Sequence, residues 1–130
     1  MEDAFEQSLK LFRLYLKSDT VTARKLLKQE IELLESISSP NSEKRRATVL
    51  FLECARLYVL ELKSGNTDAA QLALIKANYW NLRRYELDAN HGNMKLEEFK
   101  TITPEKIVEV IESSDRYYKD SVGPRHSKER

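Results

Sequence analysis

The stretch from Arg45 to Lys63, RRATVLFLECARLYVLELK, constrains this chain more than any other. Stepped at roughly 100° per residue, Ala47, Leu50, Phe51, Leu52, Cys54, Ala55, Leu57, Tyr58, Val59 and Leu62 cover well over half of a helix circumference. A helix so broadly apolar needs cover on several sides, which makes it the centre of a bundle. Its polar members Arg45, Arg46, Glu53, Arg56 and Lys63 are expected to form one narrow edge left for solvent or a partner. The stretch is long enough to span a membrane, but Glu53, Arg56 and Glu61 lie within it. One charge at the bilayer centre costs about 2.5 to 3.5 kcal/mol, so the reading is a core helix of a soluble protein with no membrane partner.

Helical spacing continues on both sides. A first helix is expected from about Asp3 to Lys17, with Asp3 as N-cap, Glu6 in the first turn and a seam of Phe5, Leu9, Phe12 and Leu16, widened by Leu11 and Tyr15. Ser18-Asp19-Thr20 caps a second helix to about Ser38, which turns Ala23, Leu26, Leu27, Ile31, Leu33, Leu34 and Ile37 inward. Its solvated face carries Arg24, Lys25, Lys28, Gln29, Glu30, Glu32 and Glu35. Ser39-Pro40 opens the central helix, with Ser42 as a competing cap, and Gly65 suits the left-handed position that ends it.

Asn66-Thr67-Asp68 starts a fourth helix, from Ala69 to about Asp88, whose Ala69, Ala70, Ala73, Leu74, Ala77, Trp80 and Leu87 share one side. Its alanines let the backbone approach the central helix, and Trp80 fills the space beyond. A turn at Asn90-His91-Gly92-Asn93 interrupts the pattern, and Met94, Leu96, Phe99 and Ile102 then need cover, through a single helical turn at Leu96 to Lys100. Thr103-Pro104-Glu105 is a strong helix start, and the fifth helix is expected to reach about Lys119, with Ile107, Val110, Ile111 and Tyr118 inward and Gly123-Pro124 as its stop. The chain is therefore expected to be all-α: a five-helix bundle built from two antiparallel αα-hairpins plus a C-terminal helix. Residues 1–122 form one domain, and residues 123–130 a disordered basic tail.

The two hairpins echo each other. Leu14-Tyr15-Leu16-Lys17-Ser18 recurs as Leu60-Glu61-Leu62-Lys63-Ser64, an offset of 46 residues. In addition, Gly65-Asn66-Thr67-Asp68-Ala69-Ala70, followed by Leu74 and Ala77, resembles the turn and second helix of a tetratricopeptide repeat over about a dozen residues. The helix before it departs from that pattern, with Cys54, Leu57, Tyr58 and Glu61 where the aromatic-Leu-Gly-Tyr signature belongs, and the closing proline is missing.

No sequence motif announces catalysis. Glycine-rich phosphate loops, HExxH, CxxC and Gly-x-Ser-x-Gly are all missing. The two histidines, His91 and His126, have no cysteine or carboxylate at metal-ligand spacing, so neither a metal nor a cofactor is expected. An enzyme site would have to be assembled from Glu53, Arg56, Tyr58 and His91; the Glu53–Arg56 spacing reads more simply as an ion pair at the edge of the core. The single cysteine, Cys54, sits at the centre of the apolar arc, where a thiol behaves as a small hydrophobe. With Glu2, Asp3 and Glu6 following Met1 and no apolar leader pattern, the expected setting is reducing and cytoplasmic.

Charged residues make up 33% of the chain but nearly cancel, at +1, so any electrostatic binding must be local. The best cluster is Tyr79, Arg83, Arg84 and Tyr85 on the fourth helix, since tyrosine and arginine dominate binding hot spots. Antiparallel packing brings its end beside Arg45 and Arg46, with Arg56 completing a basic edge. Arg83 and Arg84 fall off the apolar arc, which separates this surface from the fold. The function expected is a non-enzymatic helical module that binds another protein: an adaptor, regulator or inhibitor. The alternative is a nucleic-acid accessory protein using the same arginines.

Overall fold

A computed structural model describes residues 4–37, 43–90 and 101–128, without side chains at residues 4–5, 89–90 and 118–128. Among the described residues there are five helices and no strand: α1 (Ala4–Lys17), α2 (Thr20–Ser36), α3 (Glu43–Lys63), α4 (Thr67–Asn90) and α5 (Pro104–Lys128). The all-α bundle read from the sequence is the fold.

Local chemistry sets the boundaries. The Asp19 carboxylate accepts the Thr22 amide at 2.8 Å and caps α2, while the Thr103 hydroxyl accepts the Lys106 amide at 3.2 Å and caps α5. Gly65 has φ +78° and closes α3: its amide donates to the Leu62 carbonyl at 3.1 Å and the Asn66 amide to the Glu61 carbonyl at 2.9 Å. That pair of bonds satisfies two carbonyls the helix end would leave bare, and it needs a left-handed residue that only glycine adopts without cost. The expected caps at Asp3, Ser39-Pro40 and Ser42, the turn residues His91-Gly92-Asn93, and Met94, Leu96 and Phe99 lie outside the described residues, as do the side chains of Phe5 and Tyr118.

Helix α3 is central, as its apolar arc requires: it packs on α4, α2 and α5, while α1 packs on α2 and α5. Leu50, Phe51, Cys54, Ala55, Tyr58 and Val59 meet Ala70, Ala73, Ala77 and Trp80 of α4, with Ile31 and Leu34 of α2 and Ile107 and Ile111 of α5 closing the same core. Lys44 in the first turn of α3 reaches Asp88 near the end of α4 at 2.5 Å, so the start of one lies beside the end of the other. A smaller cluster of Tyr15, Ala23 and Leu27 joins α1 to α2, and Leu57 packs against both clusters.

Several expected faces are turned. On α1, Leu9 is exposed while Ser8 is buried beside Tyr15, because the Ser8 hydroxyl reaches buried Glu30 and the Tyr15 hydroxyl reaches part-buried Asp115, and those bonds set the helix rotation. Glu30 is buried on α2 rather than solvated. On α3, Glu61 goes inward and Leu62 outward, since the Glu61 carboxylate is held by Arg24 at 2.6 Å, by Lys28 at 3.6 Å and by the Asn66 side-chain Nδ2 at 2.9 Å. Ile107 and Ile111 take the inward line of α5 and leave Val110 exposed. Helix α5 also runs past Gly123-Pro124 to Lys128, where the sequence reading ended it near Lys119. Proline's fixed φ is itself helical and withdraws one amide bond, so it is a weaker stop than a left-handed glycine.

The α3–α4 crossing depends on small side chains. Ala77 is fully buried and Ala73 almost so. Ala77→Leu should overpack the crossing and cost about 1 to 3 kcal/mol in urea melts. Burial also pushes the Cys54 thiol up to about 12. The folded protein should therefore react with a thiol reagent only at the rate of its own unfolding, far below the rate in denaturant.

Candidate functional site

Two places combine unusual side chains: a polar cluster inside the bundle and the outer face of α4. The cluster is built around Arg56, which is only 4% exposed. A buried guanidinium is tolerable only with its charge paired and its N–H groups bonded. Glu53, one turn earlier, pairs with it from within α3. From α5, Asp115 Oδ1 accepts its Nε at 2.8 Å and Ser114 Oγ lies at 3.4 Å. From α1, the Phe12 ring lies under the guanidinium at 4.7 Å, and the Tyr15 hydroxyl donates to the other oxygen of Asp115. Burial alone would lower the Arg56 pKa; Glu53 and Asp115 outweigh it and hold the guanidinium charged. Burial, and then the Asp115 carboxylate, push Tyr15 up, so its hydroxyl stays a donor.

Glu30 of α2 completes the cluster. It is 2% exposed, accepts the Ser8 hydroxyl at 3.1 Å and lies against Glu53, itself 1% exposed. Burial is the main reason its carboxyl is held far above the ordinary range, and the Glu53 carboxylate is the second. Glu30 therefore keeps its proton at neutral pH, which spares the bundle a second buried charge beside Glu53. Clefts of about 370 Å³ and 260 Å³ flank Arg56, the first lined by Tyr15, Lys63, Glu112 and Asp115, the second by Ser8, Phe12, Glu30 and Glu53.

The Glu53–Arg56 pair expected from spacing is therefore present, but in the interior rather than at its edge. Its polar groups bond to one another across α1, α2, α3 and α5. Tyr58 belongs to the apolar core, and His91 lies outside the described residues. Among the described residues no group of three or more His, Cys, Asp or Glu is arranged to hold a metal ion.

The arginines predicted for binding divide into two sets. Arg56 is buried and contributes nothing to a surface. Arg46 stacks over Trp80 at 5.0 Å, bonds Glu43 at 3.0 and 3.1 Å, and donates to the Leu34 and Glu35 carbonyls at 3.3 Å. It closes the end of α2 against α3. Arg84 donates to buried Asn81 at 2.8 Å and lies over the rings of Phe51 and Tyr85 at 5.4 and 5.6 Å, so it is part of the fold and not separable from it. Arg83 alone of the α4 pair faces outward, 3.6 Å from both Glu43 and Glu86. Arg45 is exposed at the mouth of the smaller cleft.

What the arginine reading overlooked is apolar. Leu72, Ile75, Tyr79 and Leu82 are 65%, 56%, 58% and 37% exposed, on the side of α4 opposite its alanines. Their spacing of three, four and three residues is a helical seam visible in the sequence. Tyr79 is fixed there by edge contact with Trp80, at 4.9 Å between ring centroids. No helix among the described residues is long and apolar enough to cross a membrane.

Comparison of the chain with family models, curated proteins and solved structures finds no significant match.

The Glu30 proton has a measurable consequence. The folded protein keeps a proton that the unfolded chain releases near 4.5. This group's contribution to stability is therefore greatest below that value and declines as pH rises through neutral, with a limiting slope of about 1.4 kcal/mol per pH unit. Glu30→Gln donates to Glu53 and accepts from Ser8 without needing the proton. It should be more stable than the parent in urea melts at pH 8, with the difference shrinking toward pH 5.

Proposed function

We propose that this chain is a non-enzymatic helical protein–protein interaction module, an adaptor, regulator or inhibitor, that docks its partner on the outer face of α4. The observation that carries this reading is the seam of Leu72, Ile75, Tyr79 and Leu82, exposed over three turns of a helix whose other side is buried. Single exposed apolar residues are ordinary, whereas a continuous stripe at three-and-four spacing is what one helix offers another. Tyr79 is the residue of this stripe best suited to a hot spot, and Arg83 stands at its edge, partly exposed.

The nucleic-acid alternative needs a strip of outward arginines. Arg56 is buried, and Arg46 and Arg84 are occupied over Trp80 and Phe51, which weakens that reading. The buried polar groups bond to one another, which supports a structural role for them over catalysis. A buried, unpaired Cys54 fits a reducing, cytoplasmic setting.

In extracts of the native host, a photo-crosslinker replacing Ile75 should trap a discrete partner that the same group replacing exposed Lys25 does not. Leu72→Asp with Tyr79→Asp should abolish that trapping, a loss equivalent to about 2 kcal/mol or more, with the helical signal and thermal midpoint retained. Equal trapping from both positions would put the docking surface elsewhere.

A further inference from the structure

This inference rests on the reading of α4 as a docking face and concerns what docks there. Asp68, Leu72, Ile75, Tyr79, Leu82 and Glu86 follow one another at spacings of four, three, four, three and four residues, so all six lie along a single line of α4. The line is apolar in the middle and acidic at both ends, with about 27 Å between the end positions at 1.5 Å per residue. Asp68 is exposed, and the Glu86 side chain is 40% exposed.

Among the described residues of α4, the cations beside the line stand to one side of it. Lys76 lies 3.5 Å from Glu35 of α2, and Arg83 lies 3.6 Å from Glu43 of α3, so both are already countered by carboxylates on the flank. Arg83 also lies 3.6 Å from Glu86, so one guanidinium stands between two carboxylates and the trio keeps a net negative charge at this end of the line. The other flank carries Gln71 and Asn78, without charge.

A second copy of the chain fits the apolar part of this line and not its ends. In an antiparallel pairing Leu72 would face Leu82, and Ile75 would face Tyr79. The same symmetry sets Asp68 of one copy opposite Glu86 of the other, twice. A parallel pairing sets Asp68 against Asp68 and Glu86 against Glu86. Like charges at the ends of a short seam work against self-association in either orientation.

We infer that the occupant is an amphipathic helix of a different protein, with an apolar seam of about four positions and a lysine or arginine at each end. It would lie along α4 with its cations on Asp68 and Glu86, a charge-complementary version of helix-to-helix docking.

Two synthetic helical peptides test this on the full chain. Both carry leucine and isoleucine at four seam positions; one has lysine at the two flanking seam positions and the other glutamate. In fluorescence anisotropy at low salt, the lysine peptide should bind at least about ten-fold tighter, and the preference should shrink in high salt. Asp68→Asn with Glu86→Gln should erase the preference, and Leu72→Asp with Tyr79→Asp should remove binding of both peptides. Equal affinity, or preference for the glutamate peptide, overturns the charge assignment while leaving the docking face standing. Failure of both peptides to bind overturns the inference and counts against the docking face with it. A parent chain that sediments as a dimer, and becomes monomeric on Leu72→Asp, identifies a second copy as the occupant and overturns it as well.

Discussion

A guanidinium enclosed by a helical bundle has to be answered from every side, and that requirement organises this structure. Arg56 sits in the middle of the most apolar helix, where an unpaired charge would cost several kcal/mol. Its neighbour Glu53 comes from α3 itself, so it is present in any arrangement. Asp115 has to be delivered by α5, and the Phe12 ring and Tyr15 hydroxyl by α1, which fixes where those helices lie and how they are rotated. Glu30 follows as the price of a second carboxylate in the same place: beside Glu53 it remains buried only by keeping its proton. Hydrophobic burial drives the collapse, and it tolerates many rotations of α1 and α5; the polar cluster selects one. Apolar contact is non-directional, whereas a bonded carboxylate has few acceptable positions.

That division explains what was legible in the sequence. The apolar arc of α3, the alanine face of α4, the burial of Cys54 and the caps at Asp19, Gly65 and Thr103 are all local signals, readable within two or three turns. Each is present in the fold. The inward turns of Ser8, Glu30, Glu61 and Asp115 are not readable in the same way, because a polar side chain turns inward only toward a partner elsewhere in the chain. Ser8 finds Glu30 across 22 positions, Arg56 finds Asp115 across 59 and Tyr15 finds it across 100. Periodicity places Glu30 on the solvated face of α2 and gives Ser8 and Asp115 no role, and without the Ser8 bond the seam of α1 is drawn through Leu9.

The exposed seam of α4 escapes the sequence reading for a different reason. Helix α4 is apolar on two opposite sides, and Ala70, Ala73, Ala77 and Trp80 satisfy the periodicity of the inner one, which masks the second seam of Leu72, Ile75 and Leu82. Arginine then dominated the reading, yet arginine on a helix is as often a lid as a probe: its stem and planar head cover aromatic faces while its N–H groups bond nearby acceptors. Arg46 over Trp80 and Arg84 over Phe51 are lids of that kind. Of the predicted binding residues on α4, Tyr79 and Arg83 remain as outward candidates, and Tyr79 links the aromatic reading to the apolar seam.

Among the described residues α4 packs substantially on α3 alone. A helix that packs mainly on one neighbour relies on the quality of that interface. Small residues supply it: with alanine at three successive crossing positions the two backbones approach closely, and Trp80 then covers the gap that the alanines leave toward the end of the helix. Arg46 and the Lys44–Asp88 pair clasp that end from α3. An interface built this way does not call on Leu72, Ile75, Tyr79 or Leu82, and it does not compete with the Arg56 cluster, which holds α1, α2 and α5 to the other sides of α3. The outer seam of α4 is therefore separable from the fold, as a docking face must be if its residues are to change without unfolding the helix that presents them.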